Sequence, residues 1–138
     1  MRAATQTIAT TKNPLPAALQ YLGVFPTKLA TVFISAPVTI ALLELHAQIH
    51  ESLRSIATDS HPYYVPGKWI PHCTLAMELE PNLITRVLEV GLKIPMPLHG
   101  EITELGVIEF RPVQELFHFQ FRNKTGQEAE QYFRKGHS

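Results

Sequence analysis

Trp69-Ile70-Pro71-His72-Cys73-Thr74-Leu75-Ala76 is the stretch on which the reading of this chain turns. It opens a run to Leu79 that alternates well enough to be a β-strand. Successive side chains of a strand point to opposite faces, so His72, Thr74 and Ala76 are expected on one face and Cys73, Leu75 and Met77 on the other. Two residues of extended chain place the imidazole and the hydroxyl on the order of 7 Å apart at Cα. An imidazole transfers protons near neutral pH, and a threonine hydroxyl beside it can donate to a phosphate oxygen. Small Ala76 leaves room for a ligand. The pair therefore reads as one arm of a phosphate-ester site, against the plainer reading of a polar pair on a sheet face.

Upstream of this strand, residues 1–13 are rich in Thr and Ala with Ile8 as the only large apolar side chain, and they are expected to be a mobile leader. Leu15 to Phe25 reads as a strand bent or bulged at Gly23. Pro26-Thr27-Lys28 turns it into the β-branched and aromatic run Ala30-Thr31-Val32-Phe33-Ile34. A helix follows from about Thr39 to Ala57, with Leu42, Leu45, Ile49, Leu53 and Ile56 as its apolar stripe. Two prolines and a glycine keep the loop to Lys68 irregular.

Beyond Leu79, a second helix over Leu83 to about Leu92 carries Leu83, Val87, Leu88 and Leu92 inward. Pro95 and Pro97 break it. Glu101 to Phe110 reads as a strand with a bulge at Gly106, and Leu116 to Phe121 as a last strand. The division is a leader over 1–13, a domain over 14–122 and a polar tail over 123–138. Short turns in the first and last strand pairs favour antiparallel pairing. The expected class is α+β, a mainly antiparallel sheet with two helices packed on it. No glycine-rich phosphate loop follows any strand.

Composition narrows the function. Twelve basic and twelve acidic side chains cancel, which leaves no global charge for gripping long duplex nucleic acid. One cysteine rules out an internal disulfide and a multi-cysteine zinc module. No apolar run reaches the roughly 18–20 residues of a membrane span, and the first residues lack the apolar core of a secretory signal. A soluble cytoplasmic protein with no membrane partner is expected.

The other candidates each carry a plainer reading. Strand alternation turns Cys73 away from His72, which favours a small buried hydrophobe over a nucleophile. Lys68 and Arg111 could neutralise phosphate or simply be solvated. Trp69 could stack on a base or anchor the strand. His118 shares a strand face with Gln120 and imitates the His72–Thr74 spacing with an amide for the hydroxyl. His46 and His50 have the spacing of zinc ligands on a helix, but Ala47 stands where a metalloprotease motif has Glu and no third ligand is evident. His61, His99 and His137 lie in turns or the tail.

The stretch from Leu19-Gln20-Tyr21-Leu22-Gly23-Val24-Phe25-Pro26, through Leu45-His46, to Pro66-Gly67-Lys68-Trp69-Ile70-Pro71-His72-Cys73-Thr74-Leu75-Ala76 resembles the 2H phosphoesterase superfamily. In particular it is similar to the bacterial 2'-5' RNA ligase family. The likeness runs on through Leu98-His99-Gly100-Glu101-Ile102 and Ile108-Glu109-Phe110-Arg111-Pro112, covering roughly residues 14–122. It implies a bilobal α+β fold with two His-x-Thr/Ser motifs facing each other across a cleft. One histidine is then general base and the other general acid on a 2',3'-cyclic or 2'-5' phosphodiester, with hydroxyls holding the phosphate and no metal or other cofactor.

Only His72 and Thr74 carry over as catalytic residues. Lys68, Trp69 and His118 stand behind them as substrate-binding candidates. The family's first motif would precede the Leu19–Pro26 strand, and residues 1–18 contain no histidine, so the family's opening strand and helix are expected to be missing. Two functions follow. One is a phosphodiesterase or RNA ligase-like enzyme acting on an RNA end or small nucleotide ester, impaired by having one motif. The alternative is a non-catalytic remnant that binds nucleotide phosphate or self-associates through an uncovered cleft.

Overall fold

Thr39 starts the longer central helix of the computed structural model by accepting a hydrogen bond from the Leu42 amide at 3.2 Å, which satisfies one of the helix's orphan donors. The structure describes residues 1–54, 62–110 and 112–122. Ile56, His61, Arg111, His137 and the expected tail over 123–138 lie outside the described residues. The elements run α1 (Arg2–Thr11), β1 (Leu15–Leu19), β2 (Tyr21–Phe25), β3 (Ala30–Ser35), α2 (Ile40–Leu53), β4 (His72–Leu79), α3 (Pro81–Gly91), β5 (Leu98–Ile102), β6 (Glu104–Glu109) and β7 (Gln114–Gln120). All strand pairs are antiparallel, in three ladders ordered β1-β5, β2-β3-β4 and β6-β7. This is the α+β arrangement expected, with three helices among the described residues where two were expected.

The leader reading of residues 1–13 is corrected. Arg2–Thr11 is helical, and Ala9 is fully buried beside Leu45, Phe119 and Phe121. Its buried residues, Thr5 and Ala9, are small; beside the partly buried Ile8 they carry little weight in an apolar pattern yet allow close approach of α1 to its neighbours. The Thr5, Thr7 and Thr10 hydroxyls donate to carbonyls four residues earlier, so the polar side chains bond to the helix itself instead of breaking it.

The two long strands of the sequence reading are each divided. Leu15–Phe25 splits at Gln20, so that Leu15 pairs with Ile102 on β5 while Tyr21 pairs with Ser35 on β3. The expected strand Glu101–Phe110 splits at Thr103, its first two residues closing β5 and the rest forming β6, and the irregularity of β6 falls between Val107 and Ile108, not at Gly106. On α3, Val87 and Leu88 are half-buried as expected, whereas Leu83 and Leu92 are exposed.

Two clusters of apolar packing result. Ala9, Leu45, Phe119 and Phe121 form a core joined by Ile8, Leu15, Ile49, Ile102, Leu105 and Phe117, tying α1 and α2 to the β1-β5 and β6-β7 ladders. Val32 and Ile34 are buried in the middle strand of the second sheet. There α3 lies close enough that a Cβ at Gly91 would come within 2.9 Å of Leu22.

Candidate phosphate-ester site

The register of β4 against β3 places the candidate pair. Ser35 stands opposite His72, Ile34 opposite Cys73 and Phe33 opposite Thr74. Residues opposite one another in an antiparallel pair share a face. His72 and Thr74 therefore lie on one face with Ser35 and Phe33. The alternation then breaks: Val32, the next residue of β3, pairs with Ala76, which leaves Leu75 as an extra residue on β4. A second slip follows toward Leu79, and Glu78 takes a positive φ of 57° there. These bulges move Ala76 to the opposite face from Thr74. The expectation that His72, Thr74 and Ala76 share a face is corrected at its third member.

Cys73 is on the far face from His72, as strand geometry requires, but it is exposed and not buried. β4 is an edge strand, and its outward side has less cover than the middle strand enjoys. The sequence cannot tell edge from centre, because both alternate alike.

The segment entering β4 is held at three points. The Ser35 hydroxyl, buried, donates to the Pro71 carbonyl at 2.6 Å. His72 Nδ1 lies 2.7 Å from the Ile70 carbonyl oxygen. A carbonyl only accepts, so Nδ1 carries the proton of the neutral ring, and Nε2 keeps its lone pair for other work. Trp69 lies flat on His46 of α2, with ring centroids 4.2 Å apart and planes within 4°.

Aromatic rings close the site on one side. Phe25 stacks on Phe33 at 4.3 Å, and the His72 ring meets Phe25 edge-on at 5.1 Å and Phe33 at 5.3 Å. Sequence reasoning assigned Phe33 to a strand core and gave Phe25 no role at the site. The signal was available in the β2–β3–β4 order with His72 aligned to Ser35, but only once the register is known.

The remaining candidates separate. Lys68 is exposed. Trp69 is engaged by His46, which is the anchor reading of that residue. His118 stands on β7, in a different ladder from His72, with its Nδ1 donating to Glu115 Oε1 at 2.8 Å. Its strand-mate Gln120 donates to Glu104. His50-Glu51-Ser52 has the spacing of a His-x-Ser pair, yet it lies on α2, where positions two apart do not share a face. The Ser52 hydroxyl is spent on the Ile49 carbonyl at 2.8 Å. Among the described residues, no group of three or more His, Cys, Asp or Glu side chains is placed to hold a metal.

Burial pulls the His46 imidazole below its ordinary value of 6.5, aided by the nearby His50 and opposed by a hydrogen bond with the Tyr64 backbone. The folded state thus favours neutral His46, and unfolding takes up protons in the interval below 6.5. This contribution is complete above pH 6.5 and is lost as pH falls through the lower folded value. A fall in thermal midpoint from pH 7.5 to 5.5 is expected, together with a change in the emission of Trp69, the only tryptophan. In His46→Gln the emission change should vanish. An unaltered pH response of Trp69 in that variant would show that His46 does not govern it.

The His72 imidazole, held by the Ile70 carbonyl, thus stands on the sheet face that also carries Thr74. Residues 1–113 match the family described as the 2'-5' RNA ligase superfamily, and the chain belongs to that superfamily. No curated protein matches it. None of the described helices is long and apolar enough to cross a membrane.

Proposed function

We propose that this chain acts on a 2',3'-cyclic or 2'-5' phosphodiester of an RNA end or small nucleotide, with His72 as a general acid/base and Thr74 as a phosphate donor. The observation that carries this reading is the Nδ1–H···O=C bond from His72 to Ile70, which makes Nε2 the ring nitrogen able to take a proton, on a residue that shares its sheet face with Thr74. For a cyclic ester, Nε2 takes a proton from water as the water oxygen bonds to phosphorus. The bond from phosphorus to one ribose oxygen breaks, and a phosphomonoester results. Entering and leaving oxygens are roughly in line on opposite sides of phosphorus, so one imidazole serves one of them. His72-Cys73-Thr74 is the one His-x-Thr run in these 138 residues, and the leaving oxygen takes its proton from solvent or from a group outside that run. Lys68 is the nearest cation in sequence and supplies charge at the mouth of the site.

The same singleness favours a second reading, in which the site binds phosphate without turning it over. Incubating the purified chain with a 2',3'-cyclic nucleotide separates the two. Monoester formation above a buffer blank supports catalysis, and saturable binding of the cyclic nucleotide without product supports the second. His118→Ala should leave either outcome within about two-fold, since general acid–base groups contribute far more than that. A large loss would make His118 the second proton-transfer group.

A further inference from the structure

We infer that Gly23 and Phe33 form a positioning pair for His72. The inference rests on the proposed role of His72, although its primary readout does not need turnover. Gly23 lies directly opposite Phe33 in the β2–β3 ladder, and its backbone is not bulged there, contrary to the bend expected from sequence. Its role is space. A Cβ built on Gly23 would lie 2.3 Å from Phe33 Cζ, 2.5 Å from Cε2 and 3.0 Å from Cε1. The whole outer half of the phenyl ring therefore lies across the Gly23 backbone, flat on the sheet face that carries His72 and Thr74.

That seat decides where the ring edge stands. Phe33 is backed by Phe25, stacked at 4.3 Å, and both rings meet the His72 imidazole, at 5.3 and 5.1 Å. Phe33 is only 6% exposed, so it has little room to move aside. The imidazole is thus gripped on two sides. One is the Ile70 carbonyl, which fixes the tautomer, and the other is the pair of phenyl rings, which fixes the ring's orientation. A single methyl group at position 23 would lift Phe33 from its seat and push it toward His72. The hydroxyl of Ser35 and the alternation of β4 would be untouched.

The test is nitrogen-15 NMR of the His72 side chain in the full chain, which reports the Nδ1–H tautomer, alongside kcat and KM on a 2',3'-cyclic nucleotide. In the native protein the Nδ1–H form should dominate. Gly23→Ala should reduce it and lower kcat by about 10-fold or more with KM changed far less, because a misplaced catalytic group loses rate before binding. Phe33→Leu should also reduce the Nδ1–H form. In the Phe33→Leu background, adding Gly23→Ala should change little, since the clashing ring is gone; such coupling is what residues in contact show. An unchanged His72 tautomer in both single variants overturns the inference. So does an equal effect of Gly23→Ala with and without the Phe33 ring. If Gly23→Ala does not fold, Phe33→Leu alone decides by the tautomer. A native chain without turnover would defeat the proposed catalysis and leave the tautomer measurement standing.

Discussion

His72→Ala is expected to lower turnover of a 2',3'-cyclic nucleotide by about 10²–10³-fold, the range of a positioned proton-transfer group. Three features set that size. The imidazole is held in one tautomer by the Ile70 carbonyl, its ring is packed against Phe25 and Phe33, and Thr74 stands two residues along the same face. His72 is half-buried at a sheet edge, so the same change should cost less than about 1 kcal/mol of stability. Loss of rate without loss of fold is the signature sought. Thr74→Val, which keeps the shape and removes the hydroxyl, should weaken phosphate binding by about 10-fold, as for loss of a hydrogen bond to a charged group. Steady-state kinetics with matched thermal melts check both. Turnover unaffected by His72→Ala would remove His72 from the chemistry.

Phe121→Ala should produce the largest loss of stability, about 3–5 kcal/mol, the cost of truncating a buried aromatic and leaving a cavity. Phe121 is 1% exposed and belongs to the cluster that joins Ala9 of α1, Leu45 of α2 and Phe119 of β7. Its amide also donates to the Thr103 carbonyl at 2.7 Å, and the next amide, of Arg122, reaches the Lys12 carbonyl at 2.7 Å. The residue thus fixes the junction of the first helix and the last strand. For a chain of this size a loss of that magnitude lowers the thermal midpoint by about 10–15 °C. Val113→Ala, at a position 68% exposed, should stay within about 0.5 kcal/mol. Calorimetry on the two variants compares them directly, and similar midpoints would show that the cluster around Phe121 does not bear the fold.

Several elements were legible because their signals are local. The Leu42–Leu45–Ile49 stripe defines α2, the β-branched run defines β3, and short turns define the antiparallel pairs β2–β3 and β6–β7. The His-x-Thr spacing is local too, since alternation over two residues survives in the folded β4. Other features have no local signal. The helix at Arg2–Thr11 packs with small Thr and Ala residues, so its buried face does not stand out as apolar. The splits at Gln20 and Thr103 arise because the chain leaves one ladder for another, and a partner distant in sequence sets where that happens. Leu83 and Leu92 carry the spacing of an inward stripe, yet the exposed side of α3 receives them.

The strand of His72, Cys73 and Thr74 shows where the division falls. By itself the sequence determined that His72 and Thr74 share a face and that Cys73 does not, because a pleat repeats every two residues whatever surrounds it. It determined the chemistry available there, an imidazole beside a hydroxyl. Only the tertiary structure decided that Leu75 bulges and sends Ala76 to the other face, that Cys73 is exposed on an edge strand, and that Ile70 fixes the imidazole tautomer. It alone brought Phe33, seated on Gly23, against the His72 ring. Those outcomes depend on register, the alignment of one strand with residues some 40 positions away, and register is set by the packing of whole sheet faces rather than by neighbours in the chain.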